Sequence, residues 1–96
     1  MDLYFYRTHN GAETDLLITK GLRPLSCIEI KFSDAPRVPK GFEICIEDLK
    51  TENNFIISPS VDDYQIRHNI RVCSLSVFLS KYLKDLMHSV LSRQSC

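Results

Sequence analysis

The spacing of apolar residues changes near residue 35, and this change predicts the fold class. Before that point segment 3–8 is rich in aromatic residues, and apolar residues recur at every second position in segments 12–19 and 25–33, so all three segments are predicted to be β-strands. The spacing then becomes three and four residues, which predicts a short helix over 40–50. The apolar side of that helix is Phe42, Cys45, Ile46 and Leu49.

The second half of the chain predicts two more strands and a long helix. Segment 55–58 is a wholly apolar strand of the kind that is buried on both faces, and segment 70–73 is a second short strand. The polar segment 61–69 between them is expected to be a loop. From residue 75 onward apolar residues recur at helical spacing, which predicts a C-terminal helix over 75–92 with Ser74 as its N-cap.

The predicted order β-β-β-α-β-β-α indicates an α/β domain built on a small mixed sheet. With 96 residues the chain has room for one hydrophobic core, so residues 1–96 are expected to form a single domain.

Charge and apolar runs bear on the class of protein. The 12 Lys and Arg residues balance the 12 Asp and Glu residues, so the basic excess of a dedicated nucleic-acid binder is absent. No apolar run approaches the roughly 18 residues of a membrane span, and the start of the sequence lacks the pattern of a signal peptide. We therefore expect a cytoplasmic protein without a membrane partner. The four cysteines lack a Cys-x-x-Cys pair, which argues against a zinc site.

Segments 12–19 and 25–33 are expected to pair as an antiparallel hairpin around the turn at 20–24. If Thr19 lies opposite Leu25, then Asp15 lies opposite Glu29, because antiparallel partners keep a constant index sum. Lys31 shares the face of Glu29, two residues further along. Two opposed carboxylates repel one another unless a cation lies between them, and Mg²⁺ suits such oxygen ligands. A metal-bound water beside a lysine is suited to phosphodiester hydrolysis.

These residues also carry a family resemblance. Segment 3–8, the run Gly11-Ala12-Glu13-Thr14-Asp15 and the run Ile28-Glu29-Ile30-Lys31 resemble the PD-(D/E)XK nuclease-like fold. Within it, residues 3–80 resemble the uncharacterised domain at the C-terminal end of a prokaryotic AAA-type ATPase family. The resemblance implies a restriction-endonuclease-like core, here lacking the first helix that carries an acidic residue in active members.

The resemblance also assigns roles to individual residues. It implies that Asp15 and Glu29 are metal ligands, that Glu13 is an accessory ligand, and that Lys31 stabilises charge or positions a water. The implied cofactor is Mg²⁺, for which Mn²⁺ substitutes. The alternative is that Glu29 and Lys31 are ordinary solvent-facing strand residues.

Two functions remain open from the sequence. One is a Mg²⁺-dependent nuclease-like domain that acts on DNA, which the complete Asp15, Glu29 and Lys31 set favours. The other is a non-catalytic accessory module that docks an AAA-type ATPase or another protein, which the neutral charge favours. A homodimer is expected, through residues 82–91 or through the sheet flank that the first helix would cover. The aromatic residues of segment 3–8 are expected to lie in the core.

Overall fold

The computed structural model describes residues 1–94, and the side chains of residues 1–88. It contains one six-stranded sheet with the strand order β1-β2-β3-β4-β6-β5. The strands are β1 (Asp2–Arg7), β2 (Glu13–Lys20), β3 (Arg23–Ile30), β4 (Asn54–Ile57), β5 (Tyr64–Arg67) and β6 (Ile70–Cys73). The helices are α1 (Lys40–Leu49), α2 (Leu75–Val77) and α3 (Leu83–Gln94), and a π-helical turn (Phe78–Tyr82) joins the last two.

The sheet is mixed, which confirms the predicted class. Strands β1, β2 and β3 form an antiparallel meander, and β5 pairs with β6 in the same antiparallel way. The central pairs are different, since β3 lies parallel to β4 and β4 lies parallel to β6. The middle strand β3 therefore has an antiparallel neighbour on one side and a parallel neighbour on the other.

The two faces of the sheet are covered by different helices. On the α1 face, Leu17 and Cys27 pack against α1. On the opposite face, Ile18 and Ile28 pack in the cluster formed with the π-helical turn and α3, and we call this the α3 face. The alternation that the sequence predicted for β2 and β3 is therefore confirmed at these positions, because adjacent strand residues point to opposite faces.

Among the boundaries that differ from the sequence predictions, two alter the sheet most. The expected loop at 61–69 contains the strand β5, so the sheet has six strands and not five. Strand β5 is an edge strand with mostly exposed side chains, and main-chain pairing with β6 needs no apolar alternation. Strand β3 ends at Ile30 and not at residue 33.

The first strand is less buried than the sequence predicted. The expectation that its aromatic residues lie in the core is wrong for Tyr4 and Phe5, and the side chain of Phe5 is 87% exposed. The reason is the position of β1 at the edge of the sheet, where the described helices pack against other strands. Tyr6 alone of these aromatics packs against the core of the α1 face.

The C-terminal helical segment begins as predicted, with the hydroxyl of Ser74 accepting a hydrogen bond from the Val77 amide at 3.2 Å. The π-helical turn brings the rings of Phe78 and Tyr82 to 5.0 and 5.2 Å from that of Phe55. Leu86 is also buried against the sheet, so this part of the predicted dimer surface at 82–91 is occupied within the chain. Residues 89–91 of that surface lie outside the described side chains.

Within residues 1–94, the structure contains no helix that is long and apolar enough to cross a membrane.

Candidate functional site

Strand β2 contains an irregularity at the predicted site. Where β1 has one residue, Phe5, β2 has two, Asp15 and Leu16, so the pairing register shifts there. Such a β-bulge bends its strand and redirects the side chains at the bulge. Asp15 therefore lies at the bulge of β2.

The alignment of β2 with β3 was predicted correctly at this end of the hairpin and incorrectly at the other. Thr19 lies opposite Pro24 and not opposite Leu25, because the register shifts next to Ile18. Leu16 still lies opposite Ile28, which is the alignment that the sequence argument required around Asp15 and Glu29.

Beyond Leu16, side chains of β2 bind the main chain of β3. The Thr14 hydroxyl oxygen lies 3.1 Å from the Ile28 amide nitrogen and 2.9 Å from the Ile28 carbonyl oxygen. The next residue, Asp15, accepts a hydrogen bond through Oδ2 from the Ile30 amide at 2.7 Å. The Asp15 carboxylate is thus held at the end of β3, at the main chain of Ile30, which directly follows Glu29.

Glu29 of β3 lies opposite Ile56 of β4, which belongs to the core of the α1 face. Glu29 itself is only 8% exposed. The alternative that Glu29 is an ordinary solvent-facing residue is therefore wrong. Burial, followed by a hydrogen bond with Asp15 and the charge of Asp15, raises the pKa of Glu29 to about 7. At neutral pH the Glu29 carboxyl group therefore exchanges between its protonated and ionised forms.

Lys31 is the third predicted site residue, and the structure places it beside the acidic pair. Its Nζ lies 4.0 Å from Oε2 of Glu29, and its side chain is 39% exposed. The positive charge of Lys31 lowers the pKa of Glu29 and so partly offsets the effects of burial and of Asp15. Asp15, Glu29 and Lys31 thus form one cluster, with the ammonium group on its solvent side.

Glu13 occupies a different environment. Its Oε1 is 2.7 Å from Nη2 of Arg7, and both side chains are exposed. Within the described residues, no group of three or more His, Cys, Asp and Glu side chains is placed to hold a metal ion. The three-carboxylate set expected from the sequence is therefore not assembled. The two carboxylates that do lie together are those of Asp15 and Glu29, and Mg²⁺, which keeps several waters, needs only one or two carboxylates.

The start of α1 packs tightly against the segment before β2. A Cβ atom on Gly41 would lie 2.7 Å from the carbonyl oxygen of Gly11 and 3.5 Å from Cβ of Glu13. Glycine at position 41 therefore lets the first turn of α1 approach the residues that lead into Asp15.

Two features around the acidic pair were not predicted from the sequence. Thr14 precedes Asp15 directly, and its spacing carries no sign that its hydroxyl binds β3. The second feature is a buried thiol pair, with Sγ of Cys27 and Sγ of Cys45 3.6 Å apart. The hydrogen bond with Cys45 lowers the pKa of Cys27, and the same hydrogen bond together with burial raises the pKa of Cys45. The apolar spacing predicted which face of β3 carries Cys27 and which side of α1 carries Cys45. It did not predict that the two thiols are in contact.

The fold and the site define a mixed α/β domain with an acidic pair where two strands of its sheet separate. The chain belongs to a family that is described as a domain of unknown function, DUF4143, and the family match covers residues 1–78. This range contains the whole cluster of Asp15, Glu29 and Lys31. No curated protein and no solved structure matches the chain.

Proposed function

We propose that this chain is a nuclease-like domain with a PD-(D/E)XK type of core, in which Asp15 and Glu29 bind Mg²⁺ or Mn²⁺ for phosphodiester hydrolysis of DNA. One observation carries the proposal. Two carboxylates from adjacent strands meet where those strands separate, and the ammonium group of Lys31 lies 4.0 Å from one of them.

The chain's own residues have distinct tasks in this proposal. A divalent ion, when bound, supplies a more acidic water and neutralises phosphate charge. Asp15 is already oriented, because the Ile30 amide fixes its Oδ2. Glu29 is ready to exchange its proton for a cation, since burial beside Asp15 opposes its ionisation. Lys31 reaches solvent and is suited to bind a phosphate oxygen of the substrate.

Basic residues near the cluster support a phosphodiester substrate. Lys40 begins α1, whose first turn lies against the segment leading into β2, and Lys40 is exposed. Arg37 is also exposed in the preceding loop. On a chain with zero net charge, these exposed cations of the 36–40 region and Lys31 are groups that attract phosphate.

Calorimetric titration with MnCl₂ and MgCl₂ tests the cation site. The unmodified protein is expected to bind one ion, and Asp15→Asn is expected to weaken that binding at least tenfold. Glu52→Gln is the matched control, because it removes an exposed carboxylate outside the cluster. Lys31→Met is expected to keep cation binding and to lose cleavage of a fluorescent DNA substrate. Equal cation affinity in the Asp15→Asn protein and the unmodified protein would contradict the proposal.

A second candidate function is an accessory module that docks an AAA-type ATPase or another protein. The observation that favours it is exposed apolar surface on and beside the sheet, at Leu3 and Phe5 of β1 and at Phe32 just after β3, which is 94% exposed. The family is also often found with AAA-type ATPases. Under this candidate Phe5→Ser abolishes binding of such an ATPase in a surface-immobilised assay, whereas Asp15→Asn leaves it unchanged. The nuclease proposal instead expects cation binding to weaken at least tenfold in Asp15→Asn and to stay unchanged in Phe5→Ser.

A further inference from the structure

We propose that Thr14 is the positioning residue of the acidic pair, because its hydroxyl group holds β2 to β3 where the strands separate and thereby sets Asp15 against Glu29. The expected effect of Thr14 on cation binding rests on the proposed function. The geometry that supports the positioning role is independent of any cation.

Thr14 is a buried residue, only 2% exposed, and its hydroxyl lies between the two strands. Its oxygen is 3.0 Å from the carbonyl oxygen of Leu16 on its own strand. It is also within hydrogen-bond distance of both main-chain polar atoms of Ile28 on β3, at 3.1 and 2.9 Å. A hydroxyl has one proton and two lone pairs, so it accepts from the Ile28 amide and donates to one of the two carbonyls.

The position of this hydroxyl coincides with the end of regular pairing between β2 and β3. The paired residues run from Lys20 and Arg23 to Leu16 and Ile28, although both strands continue beyond that point. From Ile28 onward β3 pairs with β4, and the Lys31 amide still donates to Ile57 at 2.9 Å. Strand β3 is therefore fixed by β4 at this point, and the Thr14 hydroxyl ties the part of β2 beyond its last paired residue, Leu16, to β3.

The consequence for the site follows from adjacency. Asp15 is the next residue of β2, and its carboxylate binds the Ile30 amide two residues beyond Ile28. Without the hydroxyl, Ile28 keeps its ladder partner Leu16, but the segment of β2 beyond Leu16 loses its contact with the Ile28 main chain. The Asp15 carboxylate, on the next residue, is then expected to be held less firmly against Ile30 and Glu29.

Three variants separate positioning from stability. Thr14→Val removes the hydroxyl and keeps the shape, and Thr14→Ser restores the hydroxyl. Thr19→Val makes the same change at another buried threonine of β2, whose hydroxyl has no hydrogen-bond partner among the described residues. The two readouts are hydrogen exchange of the Ile30 amide, measured by NMR, and Mn²⁺ affinity, measured by calorimetry.

In Thr14→Val the Ile30 amide is expected to exchange at least tenfold faster relative to amides of β4. The expected loss of Mn²⁺ affinity is about 10- to 100-fold, the range for residues that orient metal ligands. Thr14→Ser is expected to restore both readouts, and Thr19→Val to change neither. Unchanged exchange at Ile30 in folded Thr14→Val would overturn the positioning role. If the unmodified protein binds no Mn²⁺, the proposed function fails, while the exchange at Ile30 still decides the role of Thr14.

Discussion

The raised pKa of Glu29 gives a prediction whose size follows from the structure. Burial is the largest cause of the rise from the ordinary value of 4.5 to about 7, followed by the hydrogen bond with Asp15 and the charge of Asp15. Each pKa unit corresponds to about 1.4 kcal/mol, so ionising Glu29 costs about 3 kcal/mol more in the folded protein than in the unfolded chain. The residue is 8% exposed, so solvent screens this cost only slightly. Glu29→Gln keeps the shape of the protonated side chain and removes the titration.

The direction of the pH dependence follows from which state holds the proton. Between pH 4.5 and about 7 the folded protein keeps a proton on Glu29 that the unfolded chain has released. The unfolded state therefore binds fewer protons, and the contribution of Glu29 to stability falls as pH rises through this window. Below pH 4.5 the penalty is absent, and above pH 7 it is complete. We expect Glu29→Gln to match the unmodified protein near pH 4 and to exceed its stability by about 3 kcal/mol near pH 8.

Urea unfolding at closely spaced pH values measures this difference directly. Glu52→Gln serves as the control, because it removes an exposed carboxylate and leaves the acidic pair intact. Addition of Mg²⁺ is expected to stabilise the unmodified protein more than Glu29→Gln at pH 8, because a cation favours the ionised carboxylates. If the free energies of unfolding of the unmodified protein and of Glu29→Gln stay parallel from pH 4 to pH 8, the argument for a buried, proton-sharing Glu29 is refuted.

Three further substitutions test the surroundings of the site. Lys31→Met is expected to raise the pKa of Glu29 above about 7, because the charge of Lys31 lowers it, and ¹³C NMR titration of the carboxyl group measures the change. Gly41→Ala is expected to cost about 1–3 kcal/mol in urea unfolding, because its Cβ would lie 2.7 Å from the Gly11 carbonyl oxygen and the backbone must shift. Ser26→Ala is expected to stabilise the fold by about 1 kcal/mol in thermal unfolding, because the buried Ser26 hydroxyl has no partner among the described residues. A neutral Gly41→Ala or a destabilising Ser26→Ala would contradict these two arguments.

The layout of the central strands could be predicted because side-chain alternation is a property of the strand itself. The period of two assigned Leu17 and Cys27 to one face and Ile18 and Ile28 to the other, and the structure agrees. The alignment around the site was also predicted, since a shift by one residue would have moved apolar side chains into solvent. The shift near Thr19 was not predicted, because a bulge needs no change in the apolar pattern.

The exposure of β1 and the existence of β5 could not be predicted in the same way. Apolar spacing shows which side chains share a face, but it does not show whether another layer covers that face. Phe5 alternates like a core residue and is nevertheless exposed at the sheet edge. Strand β5 is held by main-chain bonds to β6, and its polar residues gave no strand signal.

The position of the site depends on a feature of β3 that residue spacing cannot show. Its regular pairing with antiparallel β2 ends at Ile28, the residue at which its pairing with parallel β4 begins. Side chains bind the main chain of β3 on both sides of this point. Asn54 of β4 accepts a hydrogen bond from the Cys27 amide at 2.9 Å, and Thr14 of β2 binds the amide and carbonyl of Ile28. Polar side chains thus bind main-chain groups of β3 where regular pairing with a neighbouring strand starts or stops. The same departure from regular pairing turns the Asp15 carboxylate to the Ile30 amide, beside Glu29. The acidic pair therefore lies where regular pairing between β2 and β3 ends, on a strand that β4 holds beyond that point.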